Sequence, residues 1–417
     1  MKVPLQGRLW RHPDFLKLWI GQTVDLFGGQ VTDLALPTLA ILLLHASPFQ
    51  VGLLIALEFV GYPALGLIAG VWADRLPRRP MMLVANVGPM LALASVPLAY
   101  AFHALTIYQV FAVALLLGVF GVFFEVAYQS YLPALIDRQD LVEGNQKLEL
   151  SHSASHVAGP GLGGFLIQLV GAPGATLSGA ISLFLSSLAI LSIRKPEPKR
   201  QTSALHAPDF RRELGDGIRL VMESPVLRSL TACSATQNIG TYMVVSVWLL
   251  LAYRQLHLTA GQVGFILSAG ALGYIPAALA ASAVPRRLGL GRTLALSPLI
   301  TGLGLLGIPL ALLGSPVPIL VAMWLLIGLP SPIFSINQIS LRQAITPDRL
   351  QGRMNATVRT VTWAALPVGS LLGGTLAGLI GVPQTIVLGA LISLLAPLWL
   401  LSGPVIAMRA QPEPVSP

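Results

Sequence analysis

The chain has 417 residues, of which 54% are hydrophobic and only 10% are charged, and its formal net charge is +9. Ordinary soluble domains carry about 25% charged residues, so this composition excludes a soluble globular protein. The one cysteine, Cys233, excludes an internal disulfide and a cysteine-based metal cluster. The positive charge does not indicate a nucleic-acid partner, because the distribution of the cations has another explanation.

Apolar runs of about 20 residues, long enough to cross a bilayer, recur along the whole chain. We predict twelve membrane-spanning helices, the first of them an uncleaved span because its apolar run contains acids and is too long for a signal peptide. Their approximate bounds are 15–44, 49–73, 80–102, 107–134, 141–170, 174–193, 226–253, 260–283, 291–313, 316–341, 352–380 and 384–405.

The cations lie on one side of this map. Of the 26 Lys and Arg residues, only Arg254 falls in an odd-numbered connection; the others lie in the N-terminal arm, the even-numbered connections, the C-terminal tail or the adjoining helix ends. Cationic segments stay on the cytoplasmic side of a membrane. We therefore expect a multi-pass protein of the cytoplasmic membrane with both termini in the cytoplasm.

One long polar stretch divides the chain. It is rich in proline and charge from Arg194 onward and becomes helical in pattern from Phe210 to Met222, which predicts a cytoplasmic linker with a surface helix. The predicted domains are a six-helix bundle at 1–193, this linker at 194–225, a second six-helix bundle at 226–405 and a cytoplasmic tail at 406–417.

The two halves repeat each other with offsets of 208 to 212 residues. The repeated segments are Gln50-Val51-Gly52 with Gln262-Val263-Gly264, Gly61-Tyr62 with Gly273-Tyr274, Pro77-Arg78-Arg79 with Pro285-Arg286-Arg287, and Gly159-x-x-x-Gly163-Gly164 with Gly369-x-x-x-Gly373-Gly374. Offsets that hold across most of a half indicate a duplicated bundle, so the fold class is an all-α membrane protein of two pseudo-symmetric halves.

A short turn between the second and third spans carries the pattern Gly-x-x-x-Asp-Arg-x-x-Arg-Arg at residues 70–79. With the repeat, it resembles the signature turn of the major facilitator superfamily, in which Gly is usual at the position of Pro77. The resemblance covers essentially the whole chain. It implies that Asp74 closes the cytoplasmic side against the start of the eleventh helix, with Arg353 or Arg359 completing the contact. We expect a conformational latch formed by Gly70, Asp74, Arg75, Arg78 and Arg79; the alternative for Arg78 and Arg79 is that they only set the topology.

Four acids lie inside predicted spans: Asp25 and Asp33 in the first, Glu58 in the second and Glu125 in the fourth. A carboxylate inside a membrane costs a few kcal/mol or more, and is a functional candidate by default. Asp25 and Asp33 are about 80° apart around one helix and roughly 12 Å apart along it. We expect at least one of the four to exchange a proton for a substrate; the alternative is polar contact between helices or a carboxylate at a wet cavity mouth.

The fifth span contains Gly159, Pro160, Gly163 and Gly164. This segment resembles the antiporter signature of exporters in the superfamily, and with the segments Tyr131–Pro133 and Leu141–Asn145 it is similar to the third drug:proton antiporter group, which includes macrolide-efflux and siderophore-export proteins. Close helix packing by small residues is an equally good explanation. The fourth-helix arginine of the first drug antiporter group is absent.

Polar and aromatic residues in the spans are candidates for a substrate cavity or, alternatively, for hydrogen bonds between helices. They are Gln22, Tyr128, Gln129, Gln237, Asn238, Tyr242, Asn337 and Gln338. His152 and His156 lie on one helical face, but without a third ligand nearby they do not predict a metal site.

These features predict a secondary transporter and not an enzyme, because no phosphate loop or hydrolase pattern is present. The favoured function is proton-driven export of an amphipathic molecule such as a drug, macrolide or siderophore, by alternating access. No cofactor, metal or nucleic acid is expected; the expected partners are the substrate, protons and lipid, and the chain is expected to be a monomer. Uptake or lipid movement by the same fold, a receptor that does not transport, and a membrane-embedded enzyme are the alternatives.

Overall fold

The computed structural model describes residues 7–197 and 210–412, and within them the chain forms helices and no strand. Short 3-10 turns precede, link or follow several of the helices. The helices are α1 (Pro13–Leu42), α2 (Pro48–Phe59), α3 (Gly61–Arg75), α4 (Arg78–Ala101), α5 (Ile107–Leu135), α6 (Leu141–Ser192), α7 (Phe210–Glu223), α8 (Pro225–Leu250), α9 (Ala260–Ala271), α10 (Tyr274–Ala280), α11 (Ala283–Leu288), α12 (Leu290–Gly307), α13 (Pro316–Gly328), α14 (Pro330–Ile345), α15 (Asp348–Ile380), α16 (Val382–Leu395) and α17 (Leu398–Leu401).

Ten stretches of the described residues are long and apolar enough to cross a bilayer. The longest, Arg138–Ser192, holds two predicted spans, because the backbone bends at Gly171 with φ +75°. Helix α1 is not among the ten; its polar face includes Asp25 and Asp33 and lowers its hydropathy. The all-helical fold is thus as predicted, and its path is consistent with twelve crossings.

The helix ends follow ordinary capping rules. His12 accepts a hydrogen bond from the backbone N–H of Phe15 at 3.0 Å, where α1 begins. Ser224 accepts one from the N–H of Leu227 at 3.4 Å, where α8 begins. Such side-chain caps satisfy N–H groups that the first helical turn leaves open. At the opposite ends of the spans, Gly171 and Gly381 reverse the chain with positive φ at equivalent places of the repeat.

Four predicted spans are each broken into two helices, at Val60, at residues 272–273, at Leu329 and at residues 396–397. Proline explains each break, because it lacks the N–H that would bond to the carbonyl four residues earlier. Pro63, Pro276 and Pro332 lie three or four residues after the first three breaks, and Pro397 lies within the fourth. The predictions treated each of these spans as a single helix.

The chain contacts divide the structure into two compact units. The first contains Met1–His45, Val60–Ala204 and Thr259–Ser268, and the second contains Ala46–Phe59, Leu205–Leu258 and Ala269–Pro417. A core around Phe15, Tyr131 and Leu135 fills one end of the first unit. In the second unit α7 packs through Val221 on Met354 of α15, so a helix is present where the sequence predicted a surface helix. The predicted domain boundaries stay a prediction.

Candidate transport site and signature turn

The first unit contains a cavity of about 270 Å³ between α1, α4, α5 and α6. Apolar side chains form most of its wall, and polar groups come chiefly from α1. Its lining residues are Asp25, Leu26, Gly29, Gln30, Asp33, Ala85, Asn86, Pro89, Leu117, Gly121, Phe124 and Leu183. A concave, mostly apolar site with a few polar groups is typical of small-molecule binding.

Asp25 and Asp33 both line this cavity, so the structure brings together the two acids that the sequence placed on one sector of the first helix. Asp25 is half-buried and Asp33 is exposed to the cavity. Gly29, between them, leaves open space where a side chain would project. Neither carboxylate accepts a hydrogen bond from the residues that the structure describes, so both are available to water, a proton or a ligand.

Glu125 has a different environment. Its carboxylate accepts a hydrogen bond from the hydroxyl of Tyr62 at 2.7 Å and another from the amide of Gln129 at 3.0 Å. Sequence reasoning assigned no role to Tyr62, although the Gly61-Tyr62 repeat marked the position. Because two donors bind its carboxylate, the side chain of Glu125 is held in place more firmly than those of Asp25 and Asp33.

Glu58 lies on α2, within the second unit, and is half-buried. The ring of the next residue, Phe59, meets Tyr242 edge to face at 5.1 Å and Trp363 at 6.5 Å. The guanidinium of Arg359 lies over the Trp363 ring at 5.1 Å from its centroid. Tyr242, a predicted cavity residue, is therefore part of an aromatic cluster with α2 and α15.

Two other cavity candidates of the first unit hold buried polar atoms. The Oε1 atom of Gln22 and the hydroxyl of Tyr128 are buried without a hydrogen-bond partner among the described residues. The Tyr128 ring stacks on Phe124 with centroids 6.0 Å apart, and Phe124 lines the cavity. Buried polar atoms without a partner are costly and call for a ligand or water.

In the second unit, most cavity candidates make hydrogen bonds between helices. Asn238 donates to the carbonyl of Thr362 at 2.8 Å. Asn337 donates to the carbonyl of Ala281 at 2.9 Å, and Gln338 accepts from Ser234 at 3.0 Å. The Oε1 atom of Gln237, by contrast, is buried with no partner in the described part of the chain. The geometry favours a linking role for the first three and leaves Gln237 as the polar group without a partner.

The signature turn joins α3, which ends at Arg75, to α4, which begins at Arg78. The side chain of Asp74 lies outside the described residues, while Gly70 has open space beside it and Arg75 is exposed. The guanidinium of Arg79 donates to the carbonyl of Leu191 at 2.6 Å. The backbone N–H groups of Arg78 and Arg79 donate to Glu197, a residue that the sequence reading had placed in the linker.

The antiporter-like segment of α6 contacts a helix on each side. A Cβ atom on Gly163 would lie 3.2 Å from the Cα atom of Val31 in α1. A Cβ atom on Gly164 would lie 2.9 Å from the Cα atom of Gly264 in α9, and the reverse substitution gives the same distance. The N–H of Gly161 donates to Ser268 at 2.8 Å. Only glycine allows the two backbones to come this close.

The equivalent glycines of the repeat pack in the same way within the second unit. A Cβ atom on Gly374 of α15 would lie 2.9 Å from the Cα atom of Gly52 in α2. Gly369 and Gly373, the counterparts of Gly159 and Gly163, face α8. The His152 and His156 rings lie 4.7 Å apart, and the described residues contain no group of three or more His, Cys, Asp and Glu that could hold a metal ion.

Solved transporter structures share this fold. A bacterial homologue of the human lysosomal transporter Spinster, in an inward-facing and unoccupied conformation, gives a TM-score of 0.72 at 14% identity, over 94% of this chain and 97% of that one. A bacterial homologue of the iron transporter ferroportin, in the inward-facing state, gives 0.69 at 19% identity, over 94% and 98%.

Two curated relatives are similar in sequence over most of the chain. The multidrug efflux pump Tap of Mycolicibacterium fortuitum is 27% identical over 76% of this chain and 78% of its own length. The enterobactin exporter EntS of Shigella flexneri is 25% identical over 91% of this chain and 88% of its own length.

The family described as transmembrane secretion effector matches residues 9–415, which is nearly the whole chain. This match agrees with the duplicated helical fold and with the signature turn described above. The chain therefore belongs to the transmembrane secretion effector family of the major facilitator superfamily, and it is a multi-pass membrane transporter of small molecules.

Proposed function

We propose that this transporter is a proton-driven exporter of amphipathic organic molecules that works by alternating access. In this proposal it acts as a monomer in the cytoplasmic membrane, with both termini in the cytoplasm. The basic residues at the end of α3, at the start of α4 and in the last turn of α11 support the orientation, because cations remain on the cytoplasmic side. The relatives Tap and EntS, an efflux pump and an exporter by name, support the outward direction.

The cavity of the first unit carries the proposal. Asp25 and Asp33 line it without hydrogen-bond donors from the described residues, and its remaining wall is largely apolar. A charged carboxylate at this depth is unfavourable by a few kcal/mol, and either a proton or a cationic ligand group relieves that cost. Binding of one therefore favours release of the other, which is the requirement for exchange.

The wall of the cavity suits an amphipathic ligand. Phe124, stacked with Tyr128, offers an aromatic face, and Leu26, Leu117 and Leu183 add aliphatic surface. The volume of about 270 Å³ is close to the lower end of the range for drug-sized ligands. A ligand with an apolar body and one polar or basic group would satisfy both parts of this surface.

The experiment is ethidium transport in proteoliposomes under an imposed pH gradient. We expect the wild-type protein to move ethidium against its gradient only when protons flow in the opposite direction. Asp25→Asn and Asp33→Asn should reduce this exchange at least tenfold, the effect of removing an interaction of about 1.4 kcal/mol. Asp137→Asn is the matched control, because Asp137 is exposed.

Glu125→Gln and Glu58→Gln extend the test to the other two acids. Because Glu125 already has two hydrogen-bond donors, we expect its amide variant to keep pH-driven exchange at a reduced rate. Unchanged ethidium exchange in all four amide variants would refute proton coupling as proposed. Accumulation in the opposite direction would indicate an uptake porter, and binding without flux would indicate a receptor.

A further inference from the structure

A carboxylate from the end of the first bundle caps the helix that follows the signature turn. Helix α4 begins at Arg78, after Pro77, whose side chain offers no cap. Both carboxylate oxygens of Glu197 accept from the N–H of Arg78 at 3.0 Å, and one accepts from the N–H of Arg79 at 3.4 Å. A negative charge at this helix end also meets the positive end of the helix dipole.

The segment 193–197 is itself held in place. Asp14, in the first turn of α1, accepts hydrogen bonds from the N–H of Arg194 at 3.2 Å and of Lys195 at 2.9 Å. The ammonium group of Lys195 donates to the carbonyl of Leu135, at the end of α5, at 2.8 Å. The segment thus connects the start of α1 with the ends of α5 and α6, and these contacts fix the position of Glu197 beside the start of α4.

The second half has a cap at the equivalent place, but it carries no charge. Helix α12 begins at Leu290, whose N–H donates to the backbone carbonyl of Arg409 at 3.2 Å. The N–H of Gly291 donates to the carbonyl of Met408 at 2.8 Å. Arg409 follows Glu197 by 212 residues, which is within the offset of the repeat. The duplicated bundles therefore share this fold-back, and only the first uses an ionised side chain for it.

We propose that Glu197 is a positioning residue of the transport cycle, which acts through Arg78 and Arg79 to hold the signature turn in one conformation. The groups that cap α12 are backbone carbonyls, and they cannot move away from the helix unless the segment that carries them unfolds. A side-chain carboxylate can rotate away and return while the backbone of segment 193–197 stays in place. The cap on α4 is thus a reversible contact at the turn, and its strength sets how readily the turn changes conformation.

Spin-label mobility at the turn tests the contact without any substrate. Leu76 is exposed, between Arg75 and the start of α4, and the buried Cys233 can be replaced by alanine to leave one label site. In Leu76→Cys, Cys233→Ala protein, Glu197→Gln should increase the mobile fraction of the label. The expected increase is about fivefold, the equilibrium change typical of losing one helix cap. Glu149→Gln is the matched control, because Glu149 is an exposed acid of α6.

A second label position separates a local effect from a general loss of structure. Leu288, at the end of α11, is exposed and precedes the helix with backbone caps. A label there should keep its mobility in Glu197→Gln. Equal mobility at position 76 in the wild type and the Glu197→Gln variant would overturn the proposal, as would an equal increase at both positions.

The transport readout uses ethidium exchange with the same variants. Glu197→Gln should lower kcat about fivefold and leave KM unchanged, since the residue does not touch the cavity. Glu197→Asp keeps the charge one methylene further from the helix end and should restore part of the wild-type kcat. An aspartate variant no better than glutamine would reject a role for the charge. If wild-type protein does not transport ethidium, the proposed function fails, while the label experiment still decides the role of Glu197.

Discussion

Replacing Gly164 with valine should open the crossing between α6 and α9. A Cβ atom at this position would lie 2.9 Å from the Cα atom of Gly264 and 3.1 Å from its nitrogen. Ordinary Cβ contacts begin at 3.4 Å, and the carbonyl oxygen of Ala260 obstructs the position as well. All three obstructing atoms belong to backbone, which cannot rotate away. The helices must therefore separate, and the two γ-methyl groups of valine require more space than the Cβ atom alone.

The size of the effect follows from this geometry. Overpacking of a close contact costs about 1–3 kcal/mol. This cost lowers the equilibrium constant for contact between α6 and α9 by between about fivefold and about 150-fold. Alanine should lie at the lower end of this range, because it adds only the Cβ atom. The transport rate should fall as the population with α6 and α9 in contact falls, because alternating access requires each conformation to form in turn.

Alkylation of a cysteine at position 268 measures how often the crossing opens. Ser268 accepts the N–H of Gly161 at 2.8 Å and is half-buried when α6 and α9 are in contact. In Ser268→Cys, Cys233→Ala protein, we expect N-ethylmaleimide to react at least fivefold faster when Gly164→Val is added. Gly378→Val is the matched control, because a Cβ atom on Gly378 meets nothing within 4 Å.

Equal alkylation rates and equal ethidium transport in the Gly164→Val and Gly378→Val proteins would refute this reasoning. They would mean that α6 and α9 adjust to the added methyl groups without losing contact. A slower reaction at position 268 would also contradict it, because the crossing would then have tightened.

Three further predictions concern polar contacts. Tyr62→Phe removes the 2.7 Å hydrogen bond to the Glu125 carboxylate, so the purified protein should lose about 1.5–3 kcal/mol of stability, measured as a lower Tm. Asn337→Ala should lower Tm because it breaks two hydrogen bonds to backbone carbonyls, whereas Gln237→Ala, which removes a buried oxygen without a described partner, should leave Tm unchanged or raise it. Burial alone would raise the pKa of Asp14, but its hydrogen bonds and its ion pair with Lys17 outweigh burial and lower the pKa below 3.8. The ionised Asp14 therefore stabilises the fold above pH 3.8, and this stabilisation is lost as the pH falls through the lowered pKa. Asp14→Asn should be less stable than wild type from pH 7 to pH 5 and equal to it only in stronger acid.

The spans could be predicted from sequence because a bilayer imposes one requirement on every one of them. About 20 apolar residues are needed to cross, and short connections need chain-reversing residues such as Gly171 and Gly381. Those signals are local and strong. The breaks at Val60 and Leu329 were missed although Pro63 and Pro332 were visible, because proline in a membrane helix can bend the helix without ending it.

The candidate site was only partly predictable, because its contacts join distant segments. The helical period placed Asp25 and Asp33 on one sector, and both line the cavity. Nothing local separated Asn337, whose amide donates to two backbone carbonyls, from Gln237, whose Oε1 atom is buried with no partner in the described part of the chain. Glu197 lay in a stretch whose proline and charge content indicated a linker. Its contact with α4 depends on how segment 193–197 folds back, which local composition does not specify.

The two halves of the repeat have diverged in charge while keeping their backbone contacts. The two glycine crossings are equivalent under the repeat, and each joins one glycine of the first half to one of the second: Gly164 lies on Gly264 and Gly52 on Gly374. The acid of the signature turn, however, has become Ser282 in the second copy, and no predicted span of that half contains an acid. Backbone contacts that depend on glycine tolerate little change, since any side chain separates the helices. Ionised groups can be lost from one copy when the other retains them, and the proton exchange proposed above needs acids in only one half.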